Sequence, residues 1–366
     1  MHRRSTRRAA LAALALLAVT AACSSDGDTS TSATTTGADA TATTVAGGGG
    51  GPEDGGAQGT GVPIRLGYSA WPGWFPLAVA DQEGIFEAHG LDVELTFFAD
   101  YIASLDAMAA GQLDGNTQTL NDTMFNVAAG SDQVIVVVND NSTGNDAIIC
   151  DESVGDSIED LAGKTIAAEE GVVDHFLLLQ GLDSVGLTQD DIDFRGALTA
   201  DAAAAFAGGE YDCVGVFAPF TLTALERPGS HVVFSSADFP GVIADHIVLS
   251  RDFVDQHPED VQALVDAWYD TLAYIESNPE EATQIMADAA GVSVEEYDQF
   301  AEGTTIFSAA DAAAAFEDGD DTTSLLHTAA LINPFLVEYA LSPEETPLDG
   351  LFDPSFTQDY LSRHGG

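Results

Sequence analysis

The chain has 366 residues and sets 60 Asp and Glu against ten Lys and Arg, a formal net charge of −50. That charge excludes nucleic acid as a partner, because phosphates need a basic footprint. Much of the acidity serves solubility in salty surroundings.

The opening MHRRSTRRAALAALALLAVTAAC puts four arginines before the run Ala9–Ala22, in which Thr20 is the only polar residue. A basic start and an apolar run too short to span a bilayer read as a secretory signal over 1–22. Small residues lead into Cys23. This resembles a lipoprotein box, with Thr20 where such boxes usually carry Leu. The resemblance implies a lipidated Cys23 holding the protein on the outer face of the cytoplasmic membrane; an ordinary secreted protein cut elsewhere is the alternative. Residues 23–61 are nearly all Ser, Thr, Ala, Gly and Asp. They bury too little apolar surface to offset their ordering entropy and read as a tether. The remaining 300 or so residues suffice for two lobes.

Strand and helix signals then alternate. VPIRLGY reads as a strand and FPLAVADQEGIFEAHG as one helix ending at Gly90. LDVELTFF alternates as a strand, YIASLDAMAAG is a helix, LDGNTQTL a short strand and loop, and NDTMFNVAAG a helix. DQVIVVVND suits a buried parallel strand. The pattern restarts after residue 150, with strands near 165–169, in DDIDFRGAL, YDCVGVFAP and HVVFSSADF. Helices dominate from 252 onward. Repeated βα units imply an α/β protein with helices on both faces of parallel sheets. The restart implies two lobes, 62–146 with 247–366 and 147–246, joined by two crossovers.

Ligands of open α/β sheets sit beyond the carboxyl ends of strands. The loops to inspect are therefore 69–75, 117–123, 139–146, 169–174, 217–221 and 243–246. None of them contains Lys or Arg.

The stretches GYSAWPGWFPLAVADQEGIFEAHGLDVEL, AMAAGQLDGNTQTL, IEDLAGKTIAAEEG and YDCVGVFAPF together resemble the substrate-binding proteins of ABC importers in the nitrate/sulfonate/taurine and thiamine-precursor superfamily. The likeness covers about 65–350. It implies a type II periplasmic-binding-protein fold of two doubly wound α/β lobes on a two-crossover hinge. It also implies a small-molecule ligand, a permease with its ATPase as partners, and a monomer. VVNDNSTGNDAII and VQALVDAWYDTLAYIESNPEEA resemble a branch associated with urea/guanidine carboxylase, which implies a nitrogen-rich ligand such as guanidinium or urea. Sulfonate binders typically follow the second-lobe strand with Gly-Ser-Thr; here Gly171-Val172-Val173 stands in that place, behind Glu169 and Glu170. The hydroxyls an oxyanion would use are missing.

Trp71 and Trp74 form a candidate aromatic wall for a flat or cationic ligand, or they pack the lobe. Thr119 or Asn121 suits the N-cap of a helix starting near Asp122, and Asp122 is a candidate ligand contact. Of Glu169 and Glu170, alternation should turn one inward, and Glu170 is favoured; Asp174 adds a third acid. His175 reads as a packed or surface residue. The polar run Asn139–Asp146 either lines the cleft or is a hinge loop, and the hinge is favoured. Phe217 sits where the superfamily often places an aromatic, and Asp245 lies on the return crossover. Cys150 and Cys213 are either a disulfide of an exported protein or two buried thiols.

No nucleophile elbow, phosphate loop, HExxH, dinucleotide fingerprint or calcium loop is present in the sequence. No catalytic residue, cofactor or metal is therefore expected. The expected function is capture of a small solute for import. A binding protein for another solute of the superfamily (a sulfonate, nitrate or a thiamine pyrimidine precursor), an enzyme on the same fold and a surface adhesin are the rival readings.

Overall fold

The computed structural model describes residues 56–364. Within them the strands are β1 (Pro63–Ser69), β2 (Asp92–Phe98), β3 (Gly115–Thr119), β4 (Gln133–Ser142), β5 (Asp146–Cys150), β6 (Thr165–Ala168), β7 (Asp193–Gly196), β8 (Cys213–Phe217), β9 (His231–Ser235), β10 (Ala244–Ser250) and β11 (Thr304–Ile306). They form two sheets. One has the order β11-β4-β10-β3-β1-β2, the other β7-β6-β8-β5-β9. The chain leaves the first sheet after β4, builds the second from β5 to β9, and returns in β10. Helices cover the sheets and supply the C-terminal third.

Several elements depart from the sequence reading. The apolar run of β4 was expected to lie parallel to its neighbours, but it runs antiparallel to both β10 and β11. A continuous apolar, β-branched run reports burial on both faces and carries no information on neighbour direction. Parallel pairing holds for β1 with β2 and β3, and for β6 with β7 and β8. Both sheets are mixed because β5 and β10, the strands that enter each sheet from the other, run antiparallel. The helix read over 75–90 is two pieces, Pro76–Gln82 and Ile85–Ala88, separated at Gly84 with φ +69°. The run expected as a hinge loop over 139–146 is mostly strand, and only residues 143–145 lie between β4 and β5.

Residues 57–60, assigned to the tether on composition, are pinned to the first lobe. The Ala57 amide donates to Asp266 and that of Thr60 to Asp260, each at 2.7 Å. The Thr60 hydroxyl donates to the other Asp260 oxygen at 2.7 Å. Backbone donors satisfied by buried carboxylates order a chain that composition alone would leave free. The signal and Cys23 lie outside the described residues.

Cys150 ends β5 directly opposite Cys213, the first residue of β8. The two sulfurs are bonded and both residues are fully buried.

Candidate functional site

The turn after β1 answers why Pro-Gly stands between two tryptophans. The amide of Trp74 donates to the carbonyl of Trp71 at 3.0 Å, closing the turn over Pro72 and Gly73. A Cβ at Gly73 would overlap the Asp140 carboxylate, so only glycine lets that carboxylate lie against the turn. Trp71 Nε1 then donates to Asp140 Oδ1 at 2.9 Å. Tyr297 braces the turn from outside, donating to the Pro72 carbonyl at 3.2 Å.

Both indoles are buried and belong to a ring of four aromatic side chains. Centroid separations are 6.5 Å for Trp71–Trp74, 5.4 Å for Trp74–Tyr101, 6.3 Å for Tyr101–Phe217 and 6.5 Å for Phe217–Trp71. Trp71, Trp74 and Tyr101 come from the first lobe. Phe217 comes from the end of β8 in the second, so the ring closes across the cleft. It surrounds a small cavity, also lined by Thr119, Asp146, Val173, Ile243 and Asp245, whose interior of about 10 Å³ is room for about one water. A ligand of a few heavy atoms therefore requires the rings to move apart.

Register sets the polar wall. Thr119 of β3, Asp245 of β10 and Asp140 of β4 stand opposite one another across three adjacent strands. Asp146, the first residue of β5, stands opposite Phe217. Thr119 occupies the N-cap position of the helix Leu120–Ala128, but its hydroxyl does not cap that helix. It donates to Asp122 Oδ2 at 2.7 Å, while Asn121 donates to Asp122 Oδ1 at 2.8 Å. Tyr101 accepts the Thr119 amide at 3.0 Å. In the second lobe Glu169 and Asp174 flank the Thr199 hydroxyl at 2.7 and 2.8 Å.

Six carboxyls are thus gathered here, each at most 3% exposed: Asp122, Asp140, Asp146, Glu169, Asp174 and Asp245. Burial pushes Asp122 and Asp146 up to about 7. Hydroxyls of Thr119 and Tyr101 oppose the rise at Asp122, and that of Ser142 opposes it at Asp146. Burial, reinforced by the neighbouring Asp140 and Asp146, raises Asp245 well above the carboxylate range. Burial likewise raises Asp140, Asp174 and Glu169. Among the described residues, Asp146 Oδ2, Glu169 Oε1 and Asp174 Oδ1 are buried without a hydrogen-bond partner, and Asp140 Oδ2 and the two Asp245 oxygens have none beyond the proton that these two carboxyls can share. No Lys or Arg lines the cavity. The described ion pairs of Arg65, Arg195, Arg227, Arg251 and Arg363 are with other acids. Among the described residues no group of three or more His, Cys, Asp or Glu is placed to hold a metal ion. The arrangement can hold one small positive charge with N–H donors, and it repels anions.

Of the sequence candidates, Trp71, Trp74, Thr119, Phe217 and Asp245 line the cavity. Asn121, Asp122 and Asp174 stand buried behind it. Glu170 does not join them: it is exposed and lies against Gly196 at the edge of its sheet, while Glu169 turns inward. The strand stops at Ala168, before either glutamate, so strand alternation does not govern them; the turn through Gly171 does. His175 is packed, stacked on Phe194 at 4.4 Å and hydrogen-bonded to Gln189 at 2.6 Å. The sequence does not point to Tyr101, and for Asp140 and Asp146 cleft lining was the less favoured alternative. Tyr101 follows β2, whose carboxyl-end loop was not among those inspected. The two aspartates lie in the run read as hinge.

A family model described as the NMT1-like family matches residues 58–290. The chain belongs to the NMT1-like family. Among curated relatives of this NMT1-like chain is a protein of Brucella abortus (strain 2308), named provisionally as a binding protein. It is 28% identical over 232 residues, 62% of this chain and 71% of the relative. A provisionally named aliphatic sulfonates-binding protein of Escherichia coli (strain K12) is 25% identical, covering 63% of this chain and 72% of its own length. Among solved structures, the alkanesulfonate-binding protein of Xanthomonas axonopodis pv. citri bound to MOPS superposes with a TM-score of 0.67 at 19% identity, covering 80% of this chain and 98% of that one. A desulfurization enzyme, DSZB, superposes with a TM-score of 0.58 at 18% identity, covering 82% and 99%. The NMT1-like chain therefore has the periplasmic-binding-protein fold, on which both binding proteins and an enzyme are built.

Proposed function

We propose that this protein is the extracytoplasmic solute-binding component of an ABC importer and that its solute is a small planar cation, guanidinium before urea. The binding-protein relatives support the transport role. The observation that carries the ligand class is a four-ring aromatic box lined by two buried carboxyls, Asp146 and Asp245, and by no basic side chain, with four more buried carboxyls in the same cleft. A guanidinium presents N–H donors around its edge to carboxylates and its face to indole. A desolvated cation over an aromatic face is worth up to about 2 kcal/mol, and each charge-assisted hydrogen bond about 1.5–3 kcal/mol. The sulfonates and taurine named for relatives fit poorly. The N-cap of the helix Val173–Ser184 is Val172, which offers no hydroxyl, and Asp174 and Glu169 would face the anion. Delivery follows from closure of the two lobes around the ligand on their hinge, and Cys23 supplies the lipid anchor that holds the protein near its permease.

Calorimetry with guanidinium, urea, nitrate and taurine tests this. Guanidinium should bind most tightly and urea more weakly. Asp245→Asn should weaken guanidinium by one to two orders of magnitude, since about 1.4 kcal/mol is tenfold. Tight nitrate or taurine binding would sink the proposal.

A further inference from the structure

We infer that the natural ligand carries a carbonyl oxygen beside its cationic group, as in a carbamoyl- or acyl-substituted guanidinium, with the Trp74 indole N–H as the donor to that oxygen. The inference rests on the cation reading above and narrows it. The cavity wall is chemically two-sided. Asp146 Oδ2 and the Asp245 oxygen not shared with the Asp140 carboxyl call for ligand donors. Trp74, whose ring walls the same cavity, is 3% exposed and its Nε1 is also without a partner among the described residues. An indole N–H can only donate. The other indole of the box is accounted for, because Trp71 Nε1 is spent on Asp140. The remaining polar lining side chains are the Tyr101 and Thr119 hydroxyls, which are engaged with Asp122 and each other.

Plain guanidinium offers only donors, so it would satisfy the carboxyls and leave Trp74 orphaned in a dry site. Urea offers the acceptor but no charge for the carboxylates. A guanidinium bearing a conjugated carbonyl supplies both and stays planar between the rings, which must part to admit it. Completing an otherwise orphaned buried hydrogen bond is worth about tenfold in affinity.

The test is calorimetry on the mature protein with carbamoylguanidinium, guanidinium and urea, in the wild type and in Trp74→Phe, which keeps an aromatic face but loses the pyrrole ring and its N–H. Carbamoylguanidinium should bind about tenfold more tightly than guanidinium. Trp74→Phe should weaken both through the smaller aromatic face, and should weaken carbamoylguanidinium about tenfold more than guanidinium. The chain has three tryptophans, so their indole N–H resonances also report directly. One should shift downfield with carbamoylguanidinium and not with guanidinium, a readout independent of how well the variant folds. If guanidinium binds as tightly as carbamoylguanidinium, or Trp74→Phe weakens both equally, the carbonyl inference falls while the cation reading stands. If neither binds, both fall.

Discussion

Asp146→Asn should make the unliganded protein more stable at neutral pH, although it deletes a charged residue from a buried hydrogen-bonded position. Asp146 is 2% exposed, and its folded-state value is pushed from 3.8 up to about 7 by burial, with only the Ser142 hydroxyl opposing. An acid raised in the folded state is stabilising only while protonated. That contribution is fully present below about 3.8 and is lost as pH climbs through about 7. Three units at about 1.4 kcal/mol each set a ceiling of about 4 kcal/mol. Relaxation and water entry around a newly ionised group reduce this, giving an expected gain of about 1–4 kcal/mol for the isosteric amide at pH 8. For a fold of this size that corresponds to a melting shift of about 2–10 °C. Thermal unfolding by scanning calorimetry is the appropriate assay, since guanidinium and urea are candidate ligands. The advantage of the variant should grow between pH 5 and pH 8. A difference that is flat with pH, or largest at pH 5, would refute the assignment of Asp146 as a buried, frustrated carboxyl.

Glu169→Gln should weaken guanidinium binding by about tenfold, whereas Glu170→Gln should leave it within about twofold, read by calorimetry. Replacing both Cys150 and Cys213 by Ala opens a cross-link spanning 63 residues and should cost about 4 kcal/mol by loop entropy, seen as a lowered melting temperature. Cys23→Ala should release an unlipidated protein to the medium or periplasm, checked by intact mass and fractionation.

The alternation of strands and helices and the restart after residue 150 made two α/β sheets legible, because hydrophobic periodicity reports burial directly. Strand direction was not legible in β4, since a run buried on both faces looks the same whichever way its neighbours point. The aromatic half of the site was half-visible. Trp71, Trp74 and Phe217 stood in strand-end loops, while Tyr101 looked like an ordinary helix start after β2. The acidic half was harder. Asp140 and Asp146 sit among Asn, Ser, Thr and Gly, a composition shared with any hinge loop. Only the register of β4 against β10 sets Asp140 beside Asp245. Glu169 and Glu170 are neighbours in sequence, and a turn beyond the strand end decided between them. With 60 acids in the chain, composition could not single out the six that gather at the cleft.

The central claim is that the cleft recognises positive charge with carboxylates that must first lose their protons. The most direct measurement is the guanidinium dissociation constant by calorimetry at pH 5 and at pH 8. With Asp122 and Asp146 pushed up to about 7, these two carboxyls are mostly ionised at pH 8 and mostly protonated at pH 5. Affinity should therefore rise at least tenfold from pH 5 to pH 8, with protons released to the buffer on binding. Guanidinium binding that is unchanged or tighter at pH 5, or that takes up protons, would contradict it.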